Sequence, residues 1–170
     1  MICPNCSFDN LPGSETCARC QQDLTQLDVP IAQDRVQRSL MEDPVSVLGE
    51  HTPITVRPDT SIHQAIQTML THNIGALLVT DDDGELVGIL SERDLLAKVA
   101  GVVGPTDQRP VCDFMTRNPE TVVATDTLAF AVGKMDSGGY RHLPVVEEGK
   151  PVSVISVRDV LTHFTRMCNG

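Results

Sequence analysis

Leu86-Val87-Gly88-Ile89-Leu90-Ser91-Glu92-Arg93-Asp94 returns 65 residues later as Pro151-Val152-Ser153-Val154-Ile155-Ser156-Val157-Arg158-Asp159. In both strings a short apolar run ends in Ser-x-Arg-Asp, and the likeness extends outward. Gly84 falls on Gly149 and Val87 on Val152 at this offset. Upstream of one deletion in the acidic turn the offset is 66: Val79 falls on Val145, and Pro53-Ile54-Thr55-Val56 through Ile74 lies without a gap on Pro119-Glu120-Thr121-Val122 through Tyr140. Self-similarity of this length means one supersecondary unit used twice, and the two copies of about fifty residues fill positions 52–167.

Each copy reads as β-α-β-β-α. A short β-rich stretch, residues 54–56 or 121–123, leads to Thr60-Ser61 or Asp126-Thr127 as N-cap signals. Ile62, Ala65, Ile66, Met69 and Leu70 then recur at the spacing of one helix face. Ala76-Leu77-Leu78-Val79, the turn Asp81-Asp82-Asp83-Gly84-Glu85 and the run 86–90 predict a hairpin. A second helix starts at Ser91 with Leu95, Leu96 and Val99 on one face. In the second copy the hairpin uses 143–146 and 152–155 around Glu148-Gly149, and the last helix runs from Val157 towards Arg166.

This order, with Gly88 through Asp94 and the string Arg141-His142-Leu143-Pro144-Val145-Val146, resembles a tandem pair of cystathionine-β-synthase (CBS) domains over about two thirds of the chain. Met115-Thr116-Arg117-Asn118-Pro119 is similar to that family's lead-in to a second unit. Ser39-Leu40-Met41-Glu42-Asp43-Pro44 is read as the first lead-in, with several extra residues before Pro53. The resemblance implies an α/β (α+β) fold, with helices on one face of each small sheet and the two units packed pseudo-symmetrically. It also implies helical faces buried between two chains, hence a homodimer. The expected organisation is 1–24 a small four-cysteine unit, 25–50 a linker with a short amphipathic helix at 33–41, 51–103 the first CBS unit, and 104–170 the second with its lead-in.

The chemistry of the duplicated Ser-x-Arg-Asp starts from its place at a helix start, where unpaired amides and the dipole favour an anion. Ser91 and Ser156 can donate a hydroxyl, Arg93 and Arg158 a forked cation to phosphate, and Asp94 and Asp159 can accept from a vicinal diol such as ribose. The competing reading is a helix capping box, which accounts for Ser and Asp without any ligand. In the resembled family adenine lies between the strands of one unit and the Asp-bearing helix of its sister. Carried over, one site joins Ile54, Ile74 and Gly75 to Ser156, Arg158 and Asp159; the other joins Glu120, Tyr140 and Arg141 to Ser91, Arg93 and Asp94. His142 shares the second motif and can reach phosphates; the remaining histidines, His51, His63, His72 and His163, are expected on surfaces or helix faces. Glu120 in the base slot is expected to weaken the Asp94 site, and Ser153 in the place of Gly88 to crowd the other slightly. The implied ligand is AMP, ADP, ATP or S-adenosylmethionine, and the implied role is regulatory.

Four of the six cysteines lie in the first twenty residues as Cys3-x2-Cys6 and Cys17-x2-Cys20, with Asn10-Leu11-Pro12-Gly13 to reverse the chain between them. Two such knuckles can close a tetrahedral thiolate shell, and a soft set of four sulfurs selects zinc or iron. Two disulfides or a redox CxxC are the alternatives; the first lacks a signal peptide and the second a flanking βαβ pattern. The segment resembles small zinc ribbons, which usually carry Gly after each knuckle where Ser7 and Gln21 stand here. Cys112 and Cys168 have no nearby partner and receive no role.

Thirteen basic against twenty-three acidic residues leave a formal charge of −10, which repels polyanions and disfavours nucleic acid as a partner. With no Trp, one Tyr and four Phe there are few platforms on which to stack bases. The apolar runs are too short for a membrane span, so a cytoplasmic protein is expected. Arg19 is the only basic residue in 1–24, against Asp9, Glu15 and Asp23, which favours a protein partner or the sister chain for the four-cysteine unit. No nucleophile, base and oxyanion arrangement is legible, so no enzyme is expected, and a detached piece of an inosine-monophosphate dehydrogenase would lack its catalytic barrel. Two rivals stay open: a nucleotide-responsive zinc-ribbon regulator of transcription, and a ligand-free assembly scaffold.

Overall fold

The computed structural model describes residues 1–11, 13–25, 34–49, 51–99 and 108–168. It divides into two units, Met1–Asp34 and Arg35–Gly170. Pro12 of the expected reversal, Gln33 of the expected helix, residues 26–33 and 50 of the expected linker and the junction around 103–104 lie outside the described residues.

The first unit is one short motif made twice, 14 residues apart. Ile2 bridges Asp9 and Thr16 bridges Asp23, both antiparallel. The Ser7 amide donates to the Cys3 carbonyl at 2.9 Å and the Gln21 amide to the Cys17 carbonyl at 2.9 Å. Each knuckle therefore ends in a left-handed residue, Ser7 at φ 56° and Gln21 at φ 59°. That conformation, which Gly adopts freely, costs about 1–2 kcal/mol for a residue with a Cβ. Leu24, Cys3 and Cys17 form the buried centre.

In the second unit the sequence caps both first helices as expected. Ser61 and Gln64 form a full capping box on α2 (Ile62–His72), and Thr127 caps α4 (Leu128–Gly138). Ile62, Ala65 and Met69 of α2 are buried, whereas Leu70, expected on the same face, is 70% exposed. A helix α1 (Arg35–Glu42) precedes them. The first sheet has the order β1 (Thr55–Val56), β2 (Ala76–Thr80), β3 (Leu86–Ser91) and β4 (Thr116–Arg117). β1 runs parallel to β2 with Thr55 opposite Leu78; β3 is antiparallel to β2 with Ile89 opposite Leu78, and Gly88 faces Arg117 on β4. The second sheet pairs β5 (His142–Glu147) with β6 (Lys150–Ser156), and Val122 bridges Val145 in parallel where β1 lies in the first copy. Glu148 and Gly149, both at positive φ, make the two-residue turn between them.

β2 is buried along its whole length. One face, with Leu77 and Val79, joins Ile62, Ala65, Met69 and Leu90; the other, with Ala76 and Leu78, meets Ile89 and Val154 of the second copy. After β3 the chain forms a three-residue helix α3 (Glu92–Asp94) that widens into a π-turn, Leu95–Val99. Leu95 packs on the core but Leu96 is 74% exposed, so the predicted apolar face is not formed there; the side chain of Val99 lies outside the described residues. In the second copy the matching helix α5 (Val157–Cys168) is regular.

The duplication reaches further back than the sequence reading placed it. Val111 donates to the Thr60 carbonyl at 2.8 Å and Ile62 to that of Arg109 at 2.9 Å. Sixty-six residues away, Val45 donates to Asp126 at 2.7 Å and Leu128 to Asp43 at 3.0 Å. Pro44 is thus the partner of Pro110, and what looked like extra residues before Pro53 is a lead-in of matched length with its own 3-10 turn, Val45–Leu48. Each lead-in packs on the opposite copy: Val111, Phe114 and Met115 enter the first core, Val45 and Leu48 the second.

This exchange explains Gly88. A Cβ there would overlap the Met115 sulfur, while at the matched positions the second copy has Ser153 and Gly49. Ser153 does not crowd a pocket: it is 7% exposed, and its hydroxyl accepts from the His51 amide and donates to the His51 carbonyl, both at 3.2 Å. Gly88→Ser is expected to lower stability by about 1–3 kcal/mol through overpacking. Met115→Gly removes a buried side chain and costs stability by itself, but the double variant should lose less than the sum of the two in urea denaturation, whereas simple additivity would show that they do not share one space.

Candidate functional site

In both copies the serine and aspartate satisfy each other. Ser156 donates to Asp159 Oδ2 from its amide and from its hydroxyl, both at 2.7 Å; Ser91 does so to Asp94 Oδ2 at 3.0 and 2.5 Å. The capping box is therefore real, and what separates the copies is the second carboxylate oxygen.

Asp159 Oδ1 accepts no hydrogen bond among the described residues; His51 Nε2 lies 3.8 Å from it, and the side chain is 28% exposed. Arg158 is exposed, and its guanidinium forms no hydrogen bond or ion pair among the described residues. His142 lies opposite Ser156 in the β5–β6 register, and a Cβ on Gly75 would come within 3.2 Å of the His142 ring. Gly75, His142, Ser156, Asp159 and His51 are thus brought to one place, with Ile54 and Ile74 half-buried at the edge of the first core beside Gly75. Burial holds the His142 imidazole below its usual value, against the pull of Glu92 and Asp159 and with some help from Arg141. His51 was expected to be an ordinary surface residue; its place follows from the lead-in crossing to β6, which periodicity does not reveal.

The other site is built from the same parts in different bonds. Asp94 Oδ1 is 2.6 Å from Lys98 Nζ and accepts from Thr116 Oγ1 at 3.3 Å, while Arg93 donates to the Gly139 carbonyl at 2.6 Å. Tyr140 packs against the second core, its phenol held above the ordinary value by burial and by the Glu120 charge. Glu120 is not an unpaired buried carboxylate: it is 59% exposed and pairs with Lys134 at 2.8 Å. The weakness expected from Glu120 therefore loses its ground, and the inequality of the sites lies in the bonds of the two aspartates. Arg141 offers its carbonyl to the Val157 amide at 3.0 Å, as Gly75 does to Glu92 at 3.0 Å, tying each strand end to a helix start. At the acidic turn Asp81 accepts from the amides of Asp83 and Glu85, and Asp82 pairs with Arg57.

In the first unit the sulfurs of Cys3, Cys6, Cys17 and Cys20 lie within 4.8 Å of one another. Cys3 and Cys20 are 3.6 Å apart, as are Cys6 and Cys17. A tetrahedral ion with metal–sulfur bonds of about 2.3 Å spans edges of about 3.8 Å, so the donor set fits a tetrathiolate ion. At Cys17 burial disfavours the thiolate, but the amides of Cys20 and Arg19 and the side chain of Asn10 outweigh it and hold the thiol down to about 6. At Cys6 the Phe8 amide favours the thiolate, yet burial and the three neighbouring sulfurs push it up to about 12. Four thiols that cannot all ionise beside one another are the arrangement a divalent cation resolves. Asn10, 6% exposed, also accepts from the Ala18 amide at 3.0 Å, linking the knuckles.

No helix among the described residues is long and apolar enough to cross a membrane. A CBS domain-containing protein of Arabidopsis thaliana is 38% identical over 109 residues, which are 64% of this chain and 20% of that protein. This chain thus spans only about a fifth of that relative's length. A CBS domain pair solved with 5′-methylthioadenosine and S-adenosyl-L-methionine is 26% identical, superimposes with a TM-score of 0.66, and matches 73% of this chain and 97% of its own. A CBS domain protein of Pyrobaculum aerophilum solved with AMP is 27% identical, with a TM-score of 0.63 over 72% of this chain and 98% of its own. The CBS domain family matches residues 38–101 and 111–166, and with two exchanged lead-ins and two copies of β-α-β-β-α the chain belongs to the CBS domain family as a tandem pair.

Proposed function

We propose that the CBS pair is a regulatory module that binds an adenosine ligand, AMP, ADP, ATP or S-adenosylmethionine, beside Asp159. One observation carries this reading: at the start of α5 the Asp159 carboxylate spends only Oδ2 on its cap, next in the chain to an Arg158 whose guanidinium has no bond among the described residues, with Gly75 of the first copy brought to the same place through His142. The two structural relatives described above hold AMP or S-adenosylmethionine and methylthioadenosine. Ile54, Ile74 and Gly75 would receive the base, Asp159 the ribose diol, and Arg158, Ser156 and His142 the phosphate or its replacement. Calorimetric titration of the full chain with each compound tests it; no binding at millimolar concentration would leave the scaffold reading, in which the Ser-Asp pairs serve as capping boxes alone.

Zinc at Cys3, Cys6, Cys17 and Cys20 would shape residues 1–24 into a ribbon for assembly or for a protein partner, and thiolates kept for a metal suit the reducing cytoplasm. Ser39, His163 and Asp43 do meet, with the Ser39 hydroxyl 2.9 Å from His163 Nε2. But Ser39 is 3% exposed and its hydroxyl donates its hydrogen bond to the Asp43 carboxylate, so the cluster ties α1 to α5 and lacks the serine-to-imidazole bond a hydrolase would use. The helices leave Leu96 74% and Leu161 60% exposed at matched positions of the two copies, a surface suited to a second copy of the chain. Light scattering is expected to give a dimer at micromolar concentration; a monomer throughout would remove that assignment.

A further inference from the structure

The two aspartates of the repeat are equivalent in sequence and unequal in their bonds. Asp159 has one oxygen capped and one that accepts no hydrogen bond among the described residues, with His51 3.8 Å away. Asp94 has four donors on it: the Ser91 amide and hydroxyl on Oδ2, Lys98 Nζ at 2.6 Å and the Thr116 hydroxyl at 3.3 Å on Oδ1. A carboxylate has about four acceptor positions, so none is left for a diol. Lys98 is itself fixed by a second bond, to the Phe114 carbonyl at 2.8 Å, and Arg93 is drawn off to Gly139. After Asp94 the helix opens into the π-turn Leu95–Val99, and Lys98, four residues on from Asp94, lies between that carboxylate and Phe114 of the second lead-in. At the matched position the regular α5 carries His163, which turns away to Ser39 at 2.9 Å.

We propose that Lys98 is an internal occupant of the first aspartate, an ammonium standing where a ribose diol would bind, so that the tandem pair takes one adenosine ligand per chain. This rests on the reading above that such a ligand binds beside Asp159, and it adds a device that makes a duplicated site single. Ser91 and Asp94 stay in place in the closed site; opening it takes departure of the ammonium, after which the Thr116 hydroxyl and Arg93 can turn from their present partners to a ligand.

Titration calorimetry with AMP and with S-adenosylmethionine on the full chain tests it. The wild type should bind one equivalent, lost in Asp159→Ala. Lys98→Met should bind two, the second lost again when Asp94→Ala is added, while Lys98→Arg, which keeps the cation, should stay at one. Two equivalents in the wild type, or one in a folded Lys98→Met, would overturn the lock and leave the Asp159 reading standing. No wild-type binding together with one Asp94-dependent equivalent in Lys98→Met would do the reverse, and no binding in either would remove both. Should Lys98→Met fail to fold, carboxyl NMR on the wild type decides: added ligand should shift the Asp159 carboxyl by its full bound-state change and leave Asp94 unmoved, and movement of both would overturn the lock.

Discussion

Removing the metal from the full chain is expected to unfold residues 1–25 while the CBS pair remains folded. The buried centre of that unit is Leu24, Cys3 and Cys17, and two of those three are thiols that would ligate the ion. A single leucine contributes about 1.5–3 kcal/mol by burial, whereas structural zinc in comparable peptides supplies on the order of 10–16 kcal/mol at neutral pH. Ser7 and Gln21 add to the demand, because both hold left-handed backbone without being glycine. Protein prepared without added metal should carry about one zinc per chain. Chelation should collapse the amide dispersion of residues 1–25 and expose four thiols to titration, and one equivalent of zinc should restore the spectrum. Iron in that analysis would identify the other thiophilic ion. Dispersion unchanged with four free thiols would show that the knuckles stand without any metal. The CBS pair, with separate cores around Leu77 and around Leu143, should keep its own melting transition in either case.

How far this was legible from the chain alone differs by level. The β-α-β-β-α order was readable because each signal is local: Ser61 and Thr127 as caps, the alternation of short apolar runs, and a turn at Glu148-Gly149. The four-cysteine cluster was readable for the same reason, since spacing alone brings four thiols together once the chain reverses. What escaped were consequences of one copy crossing to the other. The match of Pro44-Val45 to Pro110-Val111 is only two residues long, and its meaning appears when Val45 and Val111 are seen in opposite cores. His51 gains its place beside Asp159 through Ser153, whose hydroxyl bonds the His51 amide and carbonyl across the two copies. Leu96 falls on the expected helix face by periodicity, yet it is 74% exposed, as its counterpart Leu161 is at 60% in the regular α5, so the position faces outward in both copies. The offset of 65 did contain one usable signal, the pairing of Lys98 with His163, a permanent cation against an imidazole beside equivalent aspartates.

Asp159→Ala is expected to weaken the adenosine ligand by about 100-fold or more. A diol held by a carboxylate makes two hydrogen bonds to a charged group, each worth about 1.5–3 kcal/mol, and tenfold in affinity corresponds to about 1.4 kcal/mol. The same substitution also removes an acceptor from the Ser156 amide and hydroxyl, so a loss of stability alone would not distinguish ligand binding from capping. The two are separable by the shift that ligand produces. At one hundred times its dissociation constant a ligand stabilises the wild type by about 2.7 kcal/mol, and for a variant bound 100-fold more weakly the same concentration gives about 0.4 kcal/mol. The ligand-free variant should lose only about 1 kcal/mol, the usual worth of a cap. A nucleotide lacking the 2′-hydroxyl supplies the complementary deletion: it should bind the wild type less tightly and lose little more in Asp159→Ala, because carboxylate and diol act as one pair. Equal losses of folding stability with no ligand shift in the wild type would instead assign Asp159 to capping alone, leaving the tandem pair as a scaffold whose duplicated Ser-x-Arg-Asp serves only to start two helices.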